Sequence, residues 1–100
     1  MSSWEKNRFI ELDADDTVLL YKPQPFSIPY FWEGAVKHYT PDTLVIYEGR
    51  LPEVEEIKPR RRIEADKTGR IAAKFIAGRK FCVDRGWLYR VIDTKPEGKV

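Results

Sequence analysis

The chain is 100 residues long, 42% hydrophobic and 34% charged, the composition of a soluble globular domain and not of a disordered segment. No apolar run approaches the ~18 residues of a membrane span, and the start, MSSWEKNRFIEL, lacks the apolar stretch of a signal peptide. The lone cysteine, Cys82, excludes a disulfide framework and a cysteine-based zinc cluster. One domain over residues 1–100 is expected, in a cytoplasmic protein of a bacterium or a phage-infected host cell.

The net charge of +2 conceals a division. Residues 1–57 carry five basic and eleven acidic side chains, whereas residues 58–80 carry nine and two. Such a front and back fit carboxylates holding a cation beside a polyanion, and equally fit charged faces that water solvates.

The first dozen residues predict a short helix, with Ser2 or Ser3 as N-cap and Trp4, Ile10 and the stem of Arg8 on one side. Residues 13–16 read as a turn. Val18 to Tyr21 opens an extended segment in which Pro23, Pro25 and Pro29 deny a continuous ladder, so it lies at an edge or bends sharply. Phe31-Trp32 leads through a Glu33-Gly34 turn to a strand over residues 35–39. Residues 43–47, β-branched and apolar, form the clearest strand. A turn at Glu48-Gly49-Arg50 leads to the next, from Pro52 to Lys58, which Pro59 ends.

A helix capped by Asp66 or Thr68 runs to about Arg85 and stops at Gly86. Residues 87–92 form the last strand. The order α–β–β–β–β–α–β predicts an α/β fold, a mixed twisted sheet of four to five strands flanked by helices. The crossover helix makes the last strand parallel to its partner. An arc of about 140° on that helix gathers Ile71, Ala72, Phe75, Ile76, Cys82 and Val83 as its buried face, with Lys67, Arg70 and Lys74 opposite. Arg79 falls inside the arc, where snorkelling accounts for it.

The chemistry centres on Asp42 and on Glu56-Ile57-Lys58. Strand residues two apart share a face, so Glu56 and Lys58 project together while Ile57 turns to the core. If the two strands pair through the intervening turn, Asp42 and Glu56 meet. Two carboxylates so placed repel unless a divalent cation lies between them. Mg²⁺ (or Mn²⁺) suits oxygen from carboxylates, a carbonyl such as that of Ile57, and waters. Lys58 would then orient or help deprotonate a water and counter charge on a phosphate. On spacing alone, a surface salt bridge on a solvated hairpin explains the pattern as well.

Arg60, Arg61 and Arg62, followed by Lys67, Arg70 and Lys74, would line a phosphate track beside that site, or form a solvated basic face. His38 is a candidate phosphate contact or an exposed strand histidine. Cys82 and the three tryptophans read as packing.

The run His38-Tyr39-Thr40-Pro41-Asp42-Thr43-Leu44-Val45-Ile46, with Val54-Glu55-Glu56-Ile57-Lys58-Pro59, resembles the PD-(D/E)xK nuclease superfamily. Within it the chain is similar to the TnsA-type transposon endonuclease domain, with phage junction-resolving endonucleases as near relatives. Tyr21-Lys22-Pro23-Gln24-Pro25 resembles that group's upstream QP element, and Arg85-Gly86-Trp87 with Val91 its closing strand, so the likeness spans about residues 2–93. It implies a restriction-endonuclease-like core and Mg²⁺- or Mn²⁺-dependent hydrolysis of DNA phosphodiester bonds. Asp42 and Glu56 would be metal ligands and Lys58 the catalytic lysine.

The resemblance also implies an acidic residue on the first helix, Glu5 with Glu11 as the rival. Gln24 either approaches the site or only shapes the strand. Thr43 departs from the family's aromatic after Pro-Asp. A one-residue slip would make Glu55 the ligand but turn it away from Lys58. The implied partners are DNA, a second copy of the chain, and a transposase or another recombination or phage protein. The alternative is a non-catalytic DNA-binding module on the same fold.

Overall fold

A computed structural model describes residues 3–94, and side chains from 5 to 92. Ser2 and the side chains of Ser3 and Trp4, expected to cap and face the first helix, lie outside the described residues. Helix α1 (Ser3–Ala14) is followed by β1 (Val18–Pro23), β2 (Ile28–Trp32), β3 (Ala35–Tyr39), β4 (Thr43–Tyr47) and β5 (Glu53–Pro59). Then come α2 (Arg60–Ala65), α3 (Arg70–Asp84) and β6 (Leu88–Thr94). Four strands form a mixed sheet in the order β1-β4-β5-β6, and β2-β3 make a separate two-stranded sheet. β1 and β4, and β4 and β5, pair antiparallel, whereas β6 joins β5 in parallel through the α2–α3 crossover.

The extended segment over residues 18–32 is therefore two strands in two sheets. Pro23 ends β1 and Pro25 lies in the break between them, because proline offers no N–H to a continuous ladder, while Pro29 sits within β2 opposite His38. The β2–β3 turn uses Glu33 and Gly34, both at positive φ (51° and 78°), the two-residue geometry that matches strand twist. The basic stretch after Pro59 adds a further short helix, α2, absent from the expected order.

α1 covers one face of the larger sheet. Leu12 packs with Val45 and Tyr47, joined by Phe9, Val18 and Tyr21. Phe9 stacks on Tyr21 with ring centroids 5.3 Å apart. Ile10, expected on the inner side, is instead 58% exposed, since the inward face runs through residues 5, 8, 9 and 12.

α3 lies against β2 and β6. Its start is capped from the preceding loop, where Asp66 Oδ2 accepts from the Ile71 N–H and Thr68 Oγ1 from the Arg70 N–H. Its end follows the expected glycine stop, with Gly86 at φ 74° and the Trp87 N–H returning to the Cys82 carbonyl. The buried face differs from the expected arc. Gly78 and Cys82 are buried, and Ala73, Ala77 and Phe81 pack on Ile28, Tyr30 and Tyr39 of the small sheet. Ala72, Ile76 and Val83 face outward beside Arg79, Ile76 and Val83 being about two-thirds exposed. The helix turned this way because its partner is the aromatic-rich hairpin as well as the main sheet, which moves the contact stripe toward its small residues. Trp32 and Trp87 serve as packing: Trp32 joins the hairpin cluster, and Trp87 meets Phe26 and Phe81.

Gly78 permits the closest of these approaches. A Cβ there would fall 2.5 Å from the Tyr89 ring and also strike the Tyr39 hydroxyl. Gly78→Ala forces two buried rings apart and is expected to cost about 1–3 kcal/mol, lowering the melting temperature by roughly 5–15 °C, as thermal unfolding followed by circular dichroism would show.

Candidate active site

β5 runs between β4 and β6, so both its edges are paired, and its successive side chains project to opposite faces of the sheet and meet different surroundings. Glu55 turns toward α1, and Glu56 toward α3 and the tyrosines of β3 and β6. Asp42 stands at the residue before β4, and the register that sets Thr43 opposite Glu55 carries it to the Glu56–Ile57 step. The two strand ends lock there. The Ile57 N–H donates to Asp42 Oδ2 at 2.6 Å, and the Asp42 amide in turn favours the charged Glu56 carboxylate. Gln24, held at φ 47° just past β1, donates its backbone N–H to the Asp42 carbonyl at 2.8 Å. Gln24 thus meets Asp42 through its backbone, and its side chain is exposed.

Glu56 is 8% exposed, and its Oε1 has no hydrogen-bond partner among the described residues. Burial first, then the charge of Asp42, pushes its pKa up to about 7. Lys58, the Asp42 amide and Lys74 offset only part of this. Burial likewise raises Asp42, with the charge of Glu5 adding to the rise while the Ile57 N–H and Lys58 oppose it. Glu5, half-buried in the first turn of α1, is thus close enough to act on Asp42. Glu11 is exposed and instead accepts from Arg8 Nη1 at 2.9 Å. Among the described residues no three His, Cys, Asp or Glu groups converge tightly enough to hold a metal by themselves.

Glu55 is fully buried on the other face. Arg8 grips it with two bonds, Nε to Oε1 at 2.9 Å and Nη2 to Oε2 at 2.7 Å, and the Tyr47 hydroxyl lies 3.4 Å from Oε2. The one-residue slip that would make Glu55 the ligand does not occur.

On the other side of β5, Arg61, Arg62, Arg70 and Lys74 line an open cleft of about 600 Å³ between α2 and α3, with Asp66 and Thr68. The Tyr30 hydroxyl accepts from Arg70 Nε at 2.9 Å. Lys74 links the cleft to the carboxylates, since its charge is felt at Glu56. Arg60 opens α2, and Lys67 is exposed in the α2–α3 loop. His38 is exposed on the hairpin side away from Tyr39 and does not join this group.

Several contributors escape a reading of motifs. Arg8 and the Tyr39–Tyr89 pair, whose hydroxyls lie 3.0 Å apart, have no motif of their own. Signals for them existed. A central strand carrying Glu53, Glu55 and Glu56 needs counter-charges on both faces, and an isolated glycine inside a helix marks a close approach.

The mixed sheet with its crossover helices makes this an α/β domain compatible with a restriction-endonuclease-like fold. Residues 15–94 match the family model described as TnsA-like endonuclease N terminal, and the chain belongs to that nuclease-related family. No curated protein is detectably similar to it in sequence. The matched span contains Asp42, Glu56, Lys58 and both basic helices and begins after α1.

Glu56 in the folded chain holds its proton well above the 4.5 of an ordinary glutamate. Between about pH 4.5 and 7 the folded state therefore binds more protons than the unfolded one, and stability falls as pH rises through that window. Asp42 acts in the same direction. Glu56→Gln is expected to be more stable than the parent at pH 8, by up to about 3 kcal/mol, with the advantage shrinking toward pH 4.5. Thermal unfolding of both proteins at the two pH values measures this.

Proposed function

We propose that the chain is a divalent-metal-dependent DNA endonuclease that hydrolyses phosphodiester bonds, working in the cytoplasm of a bacterium or phage-infected cell. The observation that carries the reading is a buried Glu56 carboxylate with an unpartnered oxygen, set against Asp42 and beside a cleft of four basic side chains. Among the described residues no helix is long and apolar enough to cross a membrane.

The donors fit a hard cation: two carboxylates whose mutual repulsion is only partly compensated, and neutral backbone oxygen next to them. Asp42, Glu56 and the Ile57 carbonyl would hold Mg²⁺ or Mn²⁺, with Glu5 approaching from α1 and waters completing the shell. When bound, the ion supplies Lewis-acid polarisation of a phosphoryl oxygen and acidifies a water. Lys58, two residues beyond Glu56 on the same side of β5 and close enough for its charge to act on Asp42 and Glu56, would orient that water and counter charge growing on the phosphate. Arg61, Arg62, Arg70 and Lys74 bind backbone phosphates of the duplex, Tyr30 holding Arg70 for the purpose. Arg60 and Lys67 extend the basic track. Gln24 fixes Asp42 through the main chain.

One such site cuts one strand. A double-strand break or a resolved junction takes two copies, and we read the working form as a homodimer, with a transposase as the recombination partner that the family supports.

Supercoiled plasmid incubated with Mg²⁺, Mn²⁺ or EDTA tests the reading. The parent is expected to nick or linearise the plasmid only with metal. Asp42→Ala, Glu56→Ala and Lys58→Ala should each lose at least about a hundredfold in rate while staying folded. A Lys58→Ala protein cutting at the parental rate would remove the lysine from this role. A folded parent that shifts DNA on a gel but never cuts it would instead mark a binding module.

A further inference from the structure

α1 lies outside the span that matches the family, yet it carries Glu5, whose charge acts on Asp42. The apolar anchors of the helix, Phe9 and Leu12, pack toward β1 and β4. Arg8 follows Glu5 by three residues and so shares its helix face. It reaches past these anchors to the catalytic strand itself, meeting both oxygens of Glu55 at 2.9 and 2.7 Å. The same guanidinium bonds the Tyr47 hydroxyl at 3.2 Å and Glu11 at 2.9 Å, so each of its nitrogens has an acceptor. Glu55 is the immediate neighbour of Glu56 on β5, one side chain on each face of the sheet.

We propose that Arg8 and Glu55 are a positioning pair for the active site: the guanidinium on α1 grips the buried carboxylate of β5 and so sets where Glu5 stands relative to Asp42 and Glu56. The proposal rests on the nuclease reading. A planar fork bonded at two points fixes an angle as well as a distance, which an ammonium does not. A buried ion pair is a weak source of net stability next to an apolar replacement of similar size. Orientation is what this pair supplies that leucine and methionine would not. It holds across the sheet from the metal ligands, so its effect on chemistry passes through backbone and helix placement alone.

The test compares the parent with Arg8→Lys and with the double variant Arg8→Met/Glu55→Leu. Melting temperature, Mn²⁺ affinity by calorimetry, and kcat and KM on plasmid are measured for each. Both variants are expected to fold and to keep KM for DNA within about twofold, as Arg8 makes no part of the basic cleft. The kcat should fall at least tenfold in the double variant and by less in Arg8→Lys, with Mn²⁺ affinity falling several-fold. Glu5→Gln should weaken Mn²⁺ binding in the parent but not further in the double variant, because the pair acts through Glu5. Folded variants with parental kcat and Mn²⁺ affinity overturn the proposal, as does a Glu5→Gln effect of equal size in both backgrounds. If the double variant does not fold, Arg8→Lys decides on the same two readouts. A parent that neither binds Mn²⁺ nor cuts removes the nuclease reading, and this proposal with it.

Discussion

A central strand that buries carboxylates on both of its faces is costly, because each charge taken from water must find compensation or hold a proton. β5 does this three times in four residues: Glu53, Glu55 and Glu56 are all nearly inaccessible. The two faces resolve the cost differently. Toward α1, Glu55 meets a bidentate guanidinium, whereas Glu53, with Arg50 and Arg90 only at 3.9 and 4.0 Å, keeps Oε1 without a hydrogen-bond partner among the described residues and has its pKa pushed up by burial and by Glu55. Toward α3, Glu56 meets another carboxylate, and only the partial relief of Lys58 and Lys74. Glu55 thus has a bonded counter-charge whereas Glu56, among the described residues, has none, and on the proposed reading the Glu56 side is where a cation and a phosphate would complete the charge balance.

The rest of the architecture follows from that asymmetry. α1 serves the Glu55 face, supplying Arg8 together with the Phe9 and Leu12 anchors. The hairpin, α2 and α3 serve the Glu56 face, supplying Tyr30, Tyr39 and the basic side chains of the cleft. The parallel β5–β6 pairing brings Tyr89 opposite Val54, on the side of Glu56, and Gly78 lets α3 settle on it. The packing of a helix against two tyrosines and the burial of Glu56 are therefore one arrangement.

Much of this was legible in the residues. Periodicity and punctuation marked β4, β5, α3 and the parallel closing strand, because Thr43 to Tyr47 is β-branched and Gly86 stops a helix in a way few residues can. The Asp42–Glu56 encounter followed from a two-residue strand repeat and an antiparallel turn. The two-sheet split around the prolines, helix α2 and the true buried face of α3 were not legible in this way. Periodicity reports which side chains are apolar but not which neighbour they meet. Ile76 and Val83 look like core and lie outside because the hairpin contacts Ala73 and Ala77, a tertiary choice that the helix pattern does not encode. Arg8 escaped for a related reason, its partner lying 47 residues away.

On the proposed reading, Asp42 and Glu56 hold a divalent cation on the α3 side of β5. The most direct test of this is thermal unfolding at pH 8 across a Mn²⁺ titration, for the parent beside Glu56→Gln. Selective binding to the folded state raises the melting temperature of the parent with the logarithm of Mn²⁺ concentration, and the account predicts that rise in the parent and none in the variant. A parent whose melting temperature ignores Mn²⁺, or a variant that responds equally, would contradict it.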